Sequence, residues 1–249
     1  MNLKQQAVEL YLSGFPEDSI EFATSFIEKF FDTNCCYIEE NGILISMLFM
    51  FDSELIIEDT RLPTSYIYAV VTHPKLRGKG YMTKLMQKAK LNAKEKSALI
   101  IKPSNKELYS FYERFGFKTV FYFKEQEYIK REDREDPITF TDALGYNAKR
   151  EELLNKIPHI FWGNMMEYIG SNGRFFIGKD FCGLLETIDE RLFLREFLGD
   201  EKGLDALLCS LSKQNLVVRT AEYDEPFGML CPLKDIQLQN KMYMGFAMD

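Results

Sequence analysis

Apolar positions in the N-terminal half switch repeatedly between strand-like and helix-like spacing. Asn41-Gly42 separates Cys36-Tyr37-Ile38 from an apolar run over 43–51, and that dipeptide accepts the positive backbone angles of a tight turn. Two antiparallel strands are expected to flank it. Residues 65–72 read Ser-Tyr-Ile-Tyr-Ala-Val-Val-Thr, rich in β-branched and aromatic side chains, and predict a central strand ended by His73-Pro74. From Gly80 onward Met82, Leu85, Met86, Ala89 and Ala93 recur at helical spacing, while Lys84, Lys88, Lys90 and Lys94 fall largely off that stripe. This predicts an amphipathic helix of about five turns. The apolar run 98–101, stopped by Pro103, completes a strand, helix, strand unit.

Ser104 and Glu107 have the spacing of a capping box, and Leu108, Phe111, Tyr112 and Phe115 give the next helix an apolar face that Gly116 is placed to end. Residues 117–123 return as a strand. The charged run 130–136, closed by Pro137, offers nothing to bury and predicts a linker between domains at 1–130 and 137–249. The second part repeats the grammar more faintly. Asn147 is placed to cap a helix through Ile157, 165–169 suggests another, and 174–177 starts a series of strands. Asp189-Glu190 reads as a hairpin turn between 183–188 and 192–198. Leu204, Leu207, Leu208 and Leu211 mark a short helix before a strand at 216–219.

Composition narrows the class. Of 249 residues 46% are hydrophobic and 28% charged, which excludes a wholly disordered, collagen-like or disulfide-scaffold chain. A formal charge of -7 argues against a nucleic-acid binder with a broadly basic surface. The polar start and the lack of an apolar run near membrane length lead us to expect a cytoplasmic protein with no membrane partner. Five cysteines, Cys35, Cys36, Cys182, Cys209 and Cys231, form no CxxC pattern and read as reduced, mostly buried thiols without a metal.

The chemistry concentrates at Arg77-Gly78-Lys79-Gly80, which joins the 65–72 strand to a helix. Backbone N–H groups at a helix N-terminus, glycines that let a ligand approach, and two cations make a pyrophosphate seat. No Lys-Ser/Thr pair follows the glycines as in a P-loop, and Thr83 stands where a dinucleotide fingerprint needs its third glycine.

Residues 66–85, from Tyr-Ile-Tyr-Ala-Val-Val-Thr through Arg-Gly-Lys-Gly-Tyr-Met, resemble the acyl-CoA motif of the GNAT acetyltransferase superfamily. Asn105 followed by Phe-Tyr-Glu-Arg-Phe-Gly-Phe at 111–117 resembles its second signature. The resemblance implies an α/β (α+β) GNAT fold, a central mixed and mostly antiparallel sheet flanked by helices, followed by a second, degenerate GNAT-like lobe as in tandem members. It implies acetyl-CoA as acyl donor and no metal. Main-chain groups of Val70, Val71 and Thr72 would pair with the pantetheine arm, while Arg77, Gly78, Lys79, Gly80, Tyr81 and Met82 would hold the pyrophosphate. Asn105 would contact the cofactor near the pantetheine. Lys75 departs from the family, which usually has glutamine or arginine there.

By the same resemblance the reaction is direct attack of a primary amine, on a small molecule or a peptide, on the thioester, with Tyr112 in the place of the acid that protonates the CoA thiolate. Tyr112 also lies on its helix's apolar stripe, so a core aromatic is the competing reading. The sequence singles out no general base. Glu28, Glu54, Glu58 and Asp59 precede the cofactor strand, His73 sits at its end, and His159 has no second metal-type ligand nearby. In some tandem members the terminal carboxylate reaches the first active site, which nominates Asp249. A non-catalytic acyl-CoA-binding regulatory or partner-binding module is the alternative, and a homodimer is compatible with either.

Overall fold

A computed structural model describes residues 2–239 and 241–248. They fall into two compact units. The first comprises the chain up to Asp52 with Pro63–Lys118 and Met229–Ile236. The second comprises Ser53–Leu62, Thr119–Gly228 and the described residues from Gln237 on.

The first unit opens with two helices that the pattern above leaves unassigned, α1 (Leu3–Leu12) and α2 (Ile20–Asn34). Each starts on a polar cap: Asn2 Oδ1 accepts the Gln5 N–H at 2.9 Å and Ser19 Oγ the Phe22 N–H at 3.1 Å. β1 (Cys35–Glu40) and β2 (Ile43–Ile57) pair antiparallel around Asn41 (φ 54°) and Gly42 (φ 77°), the expected hairpin. β3 (Thr60–Thr72), α3 (Tyr81–Asn92), β4 (Ala98–Ile101) and α4 (Glu107–Glu113) follow. The strand order is β1-β2-β3-β4, with β3 parallel to β4 and residues 229–232 antiparallel on the far side of β4.

Helices cover both faces of this sheet. On one, Phe26 of α2 lies 4.7 Å from Phe49 and 5.5 Å from Tyr68, ring centroid to centroid. On the other, Leu85, Met86 and Ala89 of α3 are buried with Leu48, Ile67, Leu99 and Ile101.

Two local expectations are corrected. α3 has 12 residues, just over three turns rather than five, because the chain tightens after Asn92: Lys94 N–H bonds to Leu91 O and Lys96 N–H to Ala93 O. Only the buried tip of the apolar stripe, Ala93, lies beyond the helix. The start of α4 is capped by Asn105, whose Oδ1 accepts the Leu108 N–H at 3.1 Å, and not by the Ser104/Glu107 pair.

The second unit contains β5 (Lys118–Ile129), β6 (Thr139–Thr141), α5 (Ala143–Leu153), β7 (His159–Phe161) and α6 (Met165–Ile169). β8 (Arg174–Ile177), β9 (Cys182–Ile188), β10 (Arg191–Leu198), α7 (Glu201–Ser210) and β11 (Asn215–Pro232) up to Gly228 complete it. Its strand order is β11-β10-β9-β8-β6, with β5 also paired to β11. β10 and β11 are parallel and the pairs from β10 to β6 antiparallel. Asp189 (φ 48°) and Glu190 (φ 64°) form the expected hairpin turn. The expected helix at Asn147 instead begins at Ala143, because Asp142 Oδ1 accepts the Gly145 N–H at 2.8 Å. Residues 130–136, read above as a linker, lie within this unit: Arg131 N–H donates to Asp205 Oδ1 at 2.9 Å and Arg134 N–H to Cys209 Sγ at 3.2 Å.

A buried ion pair anchors this unit. Arg150 and Glu196, both fully buried, meet at 2.8 Å (Nε to Oε2) and 3.1 Å (Nη2 to Oε1), and the Tyr146 hydroxyl donates to the same carboxylate. Arg150 Nη1 donates to Ile160 O at 2.7 Å, and Arg195 Nη2 to Ala247 O at 3.0 Å, which fastens the C-terminal tail.

His159 lies close by, its Nδ1–H donated to Ile157 O at 2.7 Å. Burial, and then the charge of Arg150, lower its pKa from 6.5 to about 4. Between those values the unfolded chain binds a proton that the folded chain does not. The contribution of His159 is therefore whole above pH 6.5 and lost as pH falls to 4, about 3 kcal/mol over the window. Denaturant unfolding at pH 7, 5.5 and 4.5 is expected to show a shallower pH slope for His159→Phe than for the parent. Identical slopes would contradict it.

Candidate active site

β3 pairs with β4 only from Thr64↔Ala98 to Ile67↔Ile101. Two residues further on Ala69 takes φ 50°, a left-handed conformation that is costly for alanine. Ile67 and Val70 both pack against the α3-side core, whereas Tyr68 meets Phe26 of α2 and Val71 closely approaches Gly14 at the end of α1. In an unbroken strand residues three apart face opposite ways. The extra residue at Ala69 is therefore a bulge that resets the alternation and leaves the main chain of 70–72 beside an opening and not beside β4.

The opening is a cleft of about 970 Å³, within the usual range for ligand sites. Its floor is Val70, Val71 and Thr72, and one end is the loop into α3. That loop is built by local bonds: His73 Nδ1 accepts the Lys75 N–H at 3.3 Å and Arg77 Nε donates to Thr72 O at 3.2 Å. His73 thus shapes the turn. Gly78 (φ 75°) and Gly80 (φ 81°) are left-handed, and a Cβ at either would meet nothing within 4 Å. The angles demand glycine, and the space beside them is open to a ligand.

Gly80 is the N-cap of α3 and no side chain caps that end. The first N–H groups of the helix, from Tyr81, Met82 and Thr83, are therefore offered to an anion. The Tyr81 hydroxyl donates to Glu40 Oε2 at 2.8 Å, which holds its ring against the β1–β2 hairpin. Lys88 Nζ donates to Tyr37 O at 2.8 Å and Lys90 Nζ to Phe115 O at 2.7 Å, so both brace their neighbours.

Across the cleft, Tyr112 is 5% exposed and packs edge-on against Phe111 and Phe117. Burial pushes its pKa well above the ordinary phenol value, so it stays protonated and can act as an acid. Asn105 spends its Oδ1 on capping α4, which leaves its amide N–H groups as the end able to meet a ligand.

The cleft therefore gathers Val70, Val71, Thr72, Arg77, Gly78, Gly80, Tyr81, Met82, Asn105 and Tyr112, while Lys79 is absent from its lining. Asp249 lies outside the described residues. Glu28 pairs with Lys4 at 3.3 Å and Glu54 with Arg61 at 2.7 Å, and neither lines the cleft. Sequence reasoning gave Ala69 no role although it lies within the 66–85 motif, and it missed Gly14 and Phe15, which belong to no motif. Among the described residues no His/Cys/Asp/Glu group is arranged to hold a metal, and no helix is long and apolar enough to cross a membrane.

Residues 4–120 match the family model described as an acetyltransferase (GNAT) domain. No curated protein matches the sequence. Among solved structures, a conserved protein of unknown function from Enterococcus faecalis V583, described as a probable N-acyltransferase, has a TM-score of 0.73 at 13% identity, over 94% of this chain and 71% of that one. A GCN5-related N-acetyltransferase from Anabaena variabilis ATCC 29413 has a TM-score of 0.74 at 12% identity, over 92% and 70%. Another from Kribbella flavida reaches 0.70 at 14%, over 91% and 67%. These likenesses establish a shared fold. Residues 4–120 thus match a GNAT acetyltransferase domain, and the chain shares the fold of GCN5-related N-acetyltransferases.

Proposed function

We propose that the protein transfers an acetyl group from acetyl-CoA to a primary amine of a small molecule or peptide by direct attack. The observation that carries this reading is the bulge at Ala69, which turns the 70–72 main chain onto a cleft ending at two left-handed glycines and an uncapped helix N-terminus. An acyl-CoA supplies an activated carbonyl and a thiol leaving group. Val70, Val71 and Thr72 offer main-chain groups for the pantetheine amides, as another strand would. Arg77 and the loop and helix N–H groups through Met82 face the diphosphate, Lys79 adds charge from outside the lining, and the Asn105 amide can donate to a pantetheine carbonyl. The N–H of Val71 or Thr72 polarises the thioester carbonyl.

Tyr112 donates its proton to the departing thiolate sulfur, and burial keeps the phenol in the protonated state that this role requires. A lysine-like amine is neutral in roughly one molecule in two thousand at pH 7, so the acceptor must lose a proton before it attacks. The carboxylate of Asp249 remains the nominated base, and deleting residues 248–249 is the direct check on it.

Tyr112→Phe is expected to lower kcat by about tenfold or more while leaving the Kd for acetyl-CoA within about twofold. Unchanged kcat would reduce Tyr112 to packing. CoA release with a panel of amines tests the reaction itself, and carrier binding without turnover on any amine would favour a binding module.

The second unit supports a reading as a degenerate copy. β10, α7 and β11 form another strand, helix, parallel strand, and β10 has a register irregularity near Arg195, as β3 has its bulge at Ala69. Where the first copy has an open basic loop, Asp200 Oδ1 accepts the Gly203 N–H at 3.3 Å, and Phe181 packs so tightly that a Cβ at Gly199 would come within 2.4 Å of it. Asp200 thus caps the N-terminus of α7, where that of α3 is left without a side-chain cap.

A further inference from the structure

All the lining residues of the cleft but two come from 70–115, the stretch from the end of β3 to the turn after α4. The exceptions are Gly14 and Phe15, in the connection between α1 and α2. Their contacts place them along the cleft. A Cβ on Gly14 would lie 2.9 Å from Val71 Cγ2, and the Phe15 ring stacks on Tyr68 at 6.2 Å between centroids and 24° between planes. Tyr68 immediately precedes the bulge, so Phe15 stands beside the start of the 70–72 segment, and the 77–80 loop follows that segment's other end. A carrier whose diphosphate sits at that loop and whose arm runs along 70–72 would end at Phe15.

The ring has little freedom to retreat. It lies 4.8 Å from Tyr11, and Tyr11 is fixed by two hydroxyl bonds, to Asp18 Oδ2 at 2.8 Å and to the Tyr68 hydroxyl at 3.0 Å. Tyr11 and Tyr68 are themselves buried against Phe26. In an otherwise apolar aromatic layer this hydroxyl chain ties the α1–α2 connection to the strand that carries the cofactor's arm.

We propose that Phe15, braced by Tyr11 and Tyr68, is the wall that limits the length of the acyl group this domain accepts. Short groups such as acetyl end before the ring and longer straight chains collide with it. This rests on the acyl-CoA reading of the cleft, and it concerns only the sulfur end of the carrier.

The test needs no acceptor. Calorimetric titration of the full chain with CoA, acetyl-CoA and hexanoyl-CoA is expected to give similar affinity for the first two and about tenfold weaker binding of the third. In Phe15→Ala the penalty on hexanoyl-CoA should shrink to about threefold or less while CoA binding is kept. Phe15→Leu, which preserves an apolar anchor should alanine unsettle the fold, is expected to fall between. If the parent binds none of the three, the acyl-CoA reading itself fails. If it binds CoA but takes hexanoyl-CoA as well as acetyl-CoA, or if both variants weaken all three ligands equally, the carrier site stands and the wall does not.

Discussion

Replacing Glu196 by alanine is expected to destabilise the second unit by about 3–5 kcal/mol, enough to unfold it or to lower its melting temperature steeply. The cost comes from what is left behind. Arg150 is fully buried, and although burial opposes its charge, Glu196 beside it prevails and holds its pKa above the ordinary value. Without the carboxylate, the guanidinium and the Tyr146 hydroxyl lose their main partner, and Arg150 keeps its bonds to the carbonyls of Ile160 and Met244 and its contacts with the Tyr243 and Phe246 rings. The tail passes so close that a Cβ on Gly245 would lie 2.1 Å from Glu196 Oε1, so little room exists for water to replace the lost oxygens. The double change Arg150→Met with Glu196→Leu removes both charges and should recover most of the loss. A single Glu196→Ala variant that melts like the parent would contradict this account of the core.

The second large effect lies in the cofactor loop. Arg77→Ala combined with Gly80→Glu is expected to weaken acetyl-CoA binding by about a hundredfold or more. The first change removes a cation that faces the cleft. The second sets an anion at the helix end and a side chain on a backbone at φ 81°, in space that is now empty. Circular dichroism and melting of the double variant should show a folded protein. Retention of parental affinity would mean that the diphosphate is held elsewhere.

The hairpin at Asn41-Gly42, the β3–α3–β4 order and the two glycines are legible in the sequence because each depends on local chemistry: a turn dipeptide, an apolar period, a backbone angle. The caps are harder to read. Ser104/Glu107 and Asn147 satisfy the spacing rules, but Asn105 and Asp142 hold the bonds, because several polar side chains close in sequence meet the same spacing rule. The bulge is invisible because alanine carries no mark of a left-handed angle, and tertiary pairing imposes it. Phe15 is invisible for another reason. Its role comes from stacking on Tyr68, 53 positions away in the chain, which no local pattern records. The charged run 130–136 misleads in the opposite sense: its main chain docks to α7 through Asp205 and Cys209, and the Arg131 side chain pairs with Glu201.

The central claim is tested most directly by titrating the intact, folded protein with acetyl-CoA in a calorimeter. Saturable binding at one site per chain, weakened as salt is raised, is the expected result. Absence of any saturable heat with well-folded protein would contradict it.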